Sequence, residues 1–158
     1  MSWLPFFVWL NDTAVSTAIR DSLWLFPFVE AVHLLALALL GGTVLIVDLR
    51  LLGAGLRGQP TAQVAADVRP WMLASLAVIL GTGALMFASQ ALRYRGNVPL
   101  ALKLVALALV LLFTFTVKQR VIRRADERGA RRAGQAVAVV SLSLWTAVGV
   151  MGRGIGFW

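Results

Sequence analysis

Three ionisable residues stand in or directly beside an apolar stretch of the sequence, where such groups are rare. Glu30 and His33 lie within the run from about residue 23 to 47, and Asp48 follows it. On a helix that advances about 100° per residue, the three fall on one stripe. His33 is the only histidine of the chain and follows Leu23 by ten residues. At 1.5 Å per residue, it lies about 15 Å along that helix from Leu23. Because ionisable groups in hydrocarbon are costly, this stripe is the first candidate for chemistry.

This stripe belongs to the first of four predicted membrane spans. The 158 residues are 59% hydrophobic and 14% charged, with a mean hydropathy of +0.82, which exceeds the values of an ordinary soluble domain. Residues 2–21 mix aromatic with polar residues and predict an N-terminal interfacial helix. The predicted fold is all-α, an integral membrane four-helix bundle forming one transmembrane domain over residues 1–158. Its four spans are predicted at about residues 23–47, 71–92, 100–117 and 133–150.

The basic residues predict how these spans are oriented. Fifteen Lys and Arg stand against seven Asp and Glu, and they cluster at the ends of the apolar runs, which favours positive-inside sorting over nucleic-acid binding. Residues 51–70 are predicted to be a polar loop with one surface helix, TAQVAADVR, and the segment from Lys118 to Arg132 a basic connector. We expect both segments in the cytoplasm of a bacterium and both termini outside its inner membrane, with no cleavable leader.

The residue inventory excludes several kinds of cofactor site. The chain has no cysteine, which excludes disulfides, zinc thiolates, iron–sulfur clusters and covalent haem attachment. An imidazole inside a helical bundle is a common axial ligand, so His33 predicts a haem b site. Glu30, one turn away, would orient the imidazole through its other nitrogen. The haem propionates would pair with the cationic side chains near the turn between spans two and three, namely Arg93, Arg95 and Lys103.

The sequence also allows two other interpretations of the same residues. Glu30, His33 and Asp48 could form a protonatable line for a proton or small-solute conduit. Alternatively, Glu30 and His33 could hydrogen-bond across the bundle in a non-catalytic subunit of a membrane complex. No pair of a nucleophile and a base predicts a hydrolytic site.

Four further features predict structure alone. The small-residue segments GTGA at 81–84 and VGVMGRGIG at 148–156 predict helix contacts. Asp48 is expected to pair with Arg50, and Ser141 to bond its own helix backbone.

Three segments carry a family resemblance: PFVEAVH at 27–33, DLRLLG at 48–53 and NVPLALK at 97–103. They resemble an uncharacterised family of bacterial four-helix inner-membrane proteins. The plan is also loosely similar to membrane b-type cytochromes, to copper-resistance D-type domains and to the bacterial four-helix protoporphyrinogen oxidase. That resemblance implies a haem or porphyrin ligand role for His33 and an accessory role for Lys103.

The single histidine departs from two-haem cytochromes, which use several. The second axial ligand would be Met72, Met86, Met151, a symmetry-related His33 in a homo-oligomer, or absent. The predicted function is electron transfer between the quinone pool, or a partner oxidoreductase, and the outer compartment.

Overall fold

The described residues of the protein are helical and contain no strand. The structure, a computed structural model, describes residues 4–56, 58–94, 96–127 and 129–154, with side chains as far as residue 152. Its helices are α1 Leu4–Asn11, α2 Ala14–Asp21, α3 Leu25–Leu52, α4 Thr61–Ser89, α5 Val98–Phe113, α6 Gln119–Arg124 and α7 Arg131–Gly154, with a π-helical segment at Thr114–Lys118 between α5 and α6. Four helical stretches are long and apolar enough to cross a membrane: Leu25–Leu52, Thr61–Ser89, Val98–Arg124 and Arg131–Gly152. The all-α prediction is confirmed, and the chain is a multi-pass membrane protein.

The chain divides into two compact units. The first unit comprises residues 1–40 with 73–97, and the second comprises residues 41–72 with 98–158. Helices α3 and α4 contribute one part to each unit. The assignment of one transmembrane domain to the whole chain stays a prediction.

In the first unit, the described part of the predicted N-terminal helix is divided into two short helices, α1 and α2. The Thr13 side chain begins α2 by accepting a hydrogen bond from the Ser16 backbone N–H at 3.3 Å. At 1.5 Å per residue, each eight-residue helix is about 12 Å long, too short to cross a bilayer. The Phe7 ring packs edge-on against Phe87 of α4, with ring centroids 6.2 Å apart.

In the second unit, α3 ends in a motif that explains the last residues of DLRLLG. Gly53 has a φ of +77°, a left-handed conformation that favours glycine. Its N–H donates to the Arg50 carbonyl at 3.1 Å, and the Ala54 N–H donates to the Leu49 carbonyl at 2.9 Å. This pair of bonds is a Schellman cap, which satisfies carbonyls that the helix end would otherwise leave without partners.

Helix α4 begins earlier than predicted. TAQVAADVR is the start of α4, which continues through Pro70 to Ser89, so the prediction of a separate surface helix is wrong. Proline removes one backbone hydrogen bond and disfavours the helix before it. Here the helix continues nonetheless, and Val64 of this early part is buried. Burial of that face in the second unit outweighs the local cost of the proline.

The π-helical segment sets the buried face of the third spanning stretch. The buried residues there recur every four positions, at Val110, Thr114, Lys118 and Ile122. In a regular α-helix, twelve residues turn the helix so far that Ile122 would face about 120° away from Val110. A π turn absorbs one extra residue and reduces that drift to about 20°. The π segment therefore brings Lys118 and Ile122 onto the face that already holds Val110 and Thr114.

Candidate functional site

In the first unit, His33 of α3 contacts a threonine of α4. Its Nδ1 atom lies 2.8 Å from the Thr82 Oγ1 atom. The same hydroxyl lies 2.6 Å from the Val78 carbonyl oxygen, one turn earlier on α4. The imidazole is half-buried. The two helices are thus joined by one side-chain hydrogen bond at the position that the sequence singles out.

This contact favours a proton on the Nδ1 atom of His33. A hydroxyl has one proton to donate, and a carbonyl oxygen can only accept. Because the Thr82 hydroxyl contacts the Val78 carbonyl, its oxygen can accept a hydrogen bond from His33, with Nδ1 as the donor. In a neutral imidazole with a proton on Nδ1, the lone pair is on Nε2. That is the tautomer in which Nε2 can act as a ligand.

Gly83 lets the imidazole come close to α4. A Cβ atom added at Gly83 would stand 3.5 Å from His33 Cε1, an ordinary van der Waals contact, and a longer side chain would occupy the place of the ring. A Cβ added at Gly81 would meet nothing within 4 Å. The prediction that the GTGA segment makes helix contacts is confirmed at Gly83. The segment also contains Thr82. The sequence did not indicate that this residue orients the histidine.

The other predicted site residues are placed less centrally. Glu30 is exposed, and Thr82 rather than Glu30 contacts the Nδ1 atom of His33. Lys103 belongs to the second unit, where its side chain lies along Gly152 of α7; a Cβ added there would stand 3.3 Å from Nζ. Arg95 lies outside the described residues. This leaves Arg93 as the predicted cation that the structure describes in the unit of His33.

Arg93 lines a groove in the first unit together with a second arginine. The groove has a volume of about 510 Å³ and is lined by Asn11, Arg20, Phe26, Ser89, Gln90, Leu92 and Arg93. Arg20 of α2 reaches the Asn11 carbonyl at 3.1 Å and the Ser89 carbonyl at 3.5 Å. Phe26 precedes His33 by seven residues, which is about 10.5 Å along α3. The groove thus places two guanidinium groups about two helical turns from the level of the imidazole.

The second unit contains a buried cluster of polar side chains that was not predicted from the sequence. Lys118 Nζ lies 2.7 Å from Asp48 Oδ1 and donates to Ser141 Oγ at 3.0 Å. Ser141 in turn donates to Asp48 Oδ2 at 2.8 Å. The three side chains come from α3, the π segment and α7, and all are buried: Asp48 and Ser141 are 0% exposed and Lys118 is 3% exposed. We call this set the ion-pair cluster.

Three predictions about these residues are wrong. Asp48 pairs with Lys118 rather than with Arg50, which instead contacts Asp126 at 3.4 Å. Lys118 belongs to the interior and not to a basic connector, since its helix continues to Arg124. Ser141 bonds Asp48 instead of its own backbone.

A signal for the ion-pair cluster was present in the sequence. Asp48 directly follows the first predicted span, and Lys118 directly follows the third. The first and third spans cross the membrane in the same direction and end at the same face. The sequence therefore predicts similar depths for Asp48 and Lys118. The π segment, which turns Lys118 inward, has no comparable signature in the sequence.

No group of three or more His, Cys, Asp or Glu side chains that could hold a metal ion occurs among the described residues. The donor set that they offer at His33 is a single imidazole whose Nδ1 atom contacts Thr82. A porphyrin iron requires no more than that from the protein, because the macrocycle supplies four ligands itself.

The model of one protein family matches residues 6–158, almost the whole chain; the family is described as a family of unknown function, DUF6644. No curated protein and no solved structure matches the chain.

Proposed function

We propose that this chain, which belongs to the family of unknown function DUF6644, is a membrane haem b protein in which His33 is an axial ligand. The observation that carries the proposal is the 2.8 Å contact between His33 Nδ1 and Thr82 Oγ1. It orients the ring and leaves the lone pair on Nε2, as in haem and metal sites where the second ring nitrogen donates to a protein oxygen. When bound, the haem supplies reversible one-electron transfer.

The charges of the first unit suit the carboxylates of such a cofactor. Arg20 and Arg93 line one groove in the unit that contains His33. Guanidinium groups bind carboxylates through charge-assisted hydrogen bonds. Arg20 and Arg93 would therefore hold the propionates, and Arg20 is an addition to the residues that the sequence suggested. Roles for Glu30, Arg95 and Lys103 stay predictions.

The proposal includes a cellular setting that follows from the sequence. The protein would lie in a bacterial inner membrane with both termini outside, and would pass electrons between the quinone pool, or a partner oxidoreductase, and the outer compartment. A homo-oligomer could supply the second axial ligand from a second copy of His33.

Absorption spectroscopy of the purified protein tests this function. We expect protein purified in mild detergent, after expression with an adequate haem supply, to show a Soret band that His33→Ala abolishes. Membrane insertion should be unchanged, since one substitution does not remove the hydropathy of a span. Thr82→Val should lower haem affinity about 10-fold to 100-fold, the usual effect of removing a group that orients a ligand.

A second threonine provides the matched control. Thr116 also donates to the carbonyl four residues earlier, that of Leu112, and is also half-buried, but it belongs to the second unit. Thr116→Val should therefore leave the Soret band unchanged. A wild-type protein that stays colourless and takes up no added haemin would overturn the proposal, as would a His33→Ala variant that keeps the band.

A further inference from the structure

The ion-pair cluster keeps two charged groups inside a unit built from membrane-spanning helices. Removing a carboxylate and an ammonium group from water costs more than their attraction returns, unless further hydrogen bonds complete the pair. Here Ser141 bonds both Asp48 and Lys118. Arg50 and Asp126, the neighbouring charges toward the ends of α3 and α6, pair with each other. Ionisable groups kept at this cost inside spans commonly belong to proton or ion pathways.

Two buried polar atoms lie one helical turn away from the cluster and have no hydrogen-bond partner. They are Thr114 Oγ1 and Trp145 Nε1. Thr114 itself is 6% exposed. Thr114 precedes Lys118 by four residues, and Trp145 follows Ser141 by four residues on the antiparallel helix α7. Both atoms are therefore displaced from the cluster in the same direction, by about 6 Å along the helices.

A bridging water molecule would suit these atoms. Each of its hydrogen bonds would be about 2.8 Å long. Buried polar atoms without a protein partner are the usual sites of internal water, which makes two to four hydrogen bonds. Thr114 can donate or accept, whereas Trp145 can only donate. A water between these two side chains and the cluster would satisfy both orphaned atoms.

Buried apolar residues lie on both sides of this polar region. Toward the ends of α3 and α6 the core is formed by Val47, Leu51, Ile122 and Ala138. In the other direction, Val110 and Val148 are buried, one turn beyond Thr114 and Trp145. A hydrophobic constriction excludes hydrated ions, because they cannot shed their water shell there. A proton needs only a transient single file of water to cross such a layer.

We propose that the ion-pair cluster is a proton-transfer site, fed by water bound at Thr114 and Trp145, and that the second unit conducts protons and excludes larger ions. A hydronium donates its proton to the bound water, which passes one to the Asp48 carboxylate. One O–H bond forms on the carboxylate as one breaks on the water, and no electron moves. Release of that proton to water beyond the other apolar layer restores the Asp48–Lys118 ion pair. This activity is independent of the haem at His33.

Proton flux into liposomes tests the proposal. The full chain is reconstituted into vesicles containing a fluorescent pH indicator, and a potassium diffusion potential with valinomycin drives protons inward. We expect wild-type vesicles to acidify faster than protein-free vesicles. The double variant Asp48→Asn with Lys118→Met should return the rate to that of protein-free vesicles, and Thr114→Val should lower it. No sodium flux is expected from the wild-type protein.

The chain supplies controls for each step. Ser143 is exposed on the same helix as Ser141, so Ser143→Ala should conduct like wild type whereas Ser141→Ala should not. His33→Ala should keep its proton flux even without haem, which separates this proposal from the haem function. Thr114→Val changes one hydroxyl to a methyl group and remains informative if the double variant fails to fold. Wild-type flux equal to that of protein-free vesicles, or undiminished flux in both Ser141→Ala and Thr114→Val, overturns the proposal.

Discussion

Lys118 and Arg50 are both cations near helix ends, but their ion pairs differ in energetic weight. The Lys118–Asp48 pair is almost fully buried, whereas in the Arg50–Asp126 pair 18% and 45% of the two side chains are exposed. Exposed pairs contribute about 0–1 kcal/mol, because water and salt screen them. In a buried pair, loss of one partner leaves an uncompensated charge inside. Substitutions at the ion-pair cluster should therefore have large and mutually dependent effects.

A double-mutant cycle at this pair should show that dependence. We expect Lys118→Met to lower the free energy of unfolding in detergent by about 3–5 kcal/mol, because the Asp48 carboxylate then stays buried with only the Ser141 hydroxyl. Adding Asp48→Asn removes that charge but leaves an amide oxygen that can accept from Ser141. The double variant should recover most of the lost stability. Additive losses in the two single variants would mean that the side chains do not interact.

For single side chains, the sequence identifies ionisable residues that are costly to bury better than it identifies their partners. His33 and Asp48 stand out because ionisable groups are rare in apolar runs, and both have specific side-chain partners in the structure. Thr82 could not be assigned to His33 from the sequence, and the position of Lys118 after the third predicted span indicated only its depth. A partner on another helix also depends on the relative rotation of the two helices, and hydropathy contains no information on rotation.

The helices are longer than the hydropathy pattern indicates, for a physical reason. The first predicted span ends at about residue 47, but α3 continues to Leu52. The third is predicted to end at 117, but its helical stretch continues to Arg124. Hydropathy marks the part of a helix that hydrocarbon surrounds, whereas backbone hydrogen bonding continues until a cap or a turn ends it. Burial in the second unit explains the extra turns, since Leu51 and Ile122 belong to its core.

Asp126 connects three of these helix ends in the second unit. Its Oδ2 atom accepts from the Thr61 backbone N–H at 2.9 Å, and its Oδ1 atom accepts from the Thr61 hydroxyl at 3.1 Å. It thereby caps α4 from the connection that follows α6, and it also contacts Arg50 near the end of α3. A carboxylate at a helix N-terminus satisfies an orphaned donor and complements the helix dipole.

Removing this cap should cost a measurable amount of stability. We expect Asp126→Ala to lower the free energy of unfolding by about 0.5–2 kcal/mol, the usual cost of losing an N-cap side chain. The neighbouring residue Glu127 is exposed, and Glu127→Ala is the matched control, with little effect expected. Denaturant unfolding of the three proteins in one detergent measures the difference. Equal stability of the two variants would mean that Asp126 does not cap α4.

For the protein as a whole, the same contacts bear on the orientation in the membrane. The bonds of Asp126 join the loop after α3 and the connection after α6, so both segments lie at one end of the second unit. Although Lys118 is buried, the basic residues still outnumber the acidic ones at this end, and Arg50, Arg120 and Arg124 are among them. Positive charge near the ends of spans is retained in the cytoplasm. We therefore expect this end of the second unit in the cytoplasm, and four crossings would place both termini on the opposite side.

Reporter fusions test this orientation. We expect a periplasm-active reporter joined before Met1 or after Trp158 to be active, and one inserted at Glu127 to be inactive, because the basic end stays inside. A cytoplasm-active reporter at the same three positions is the control and should give the reverse pattern. Neutralising Arg120, Arg123 and Arg124 together should weaken the bias and produce molecules of both orientations. Termini on opposite sides would contradict four crossings, whereas cytoplasmic termini with Glu127 outside would keep the four crossings and overturn the orientation.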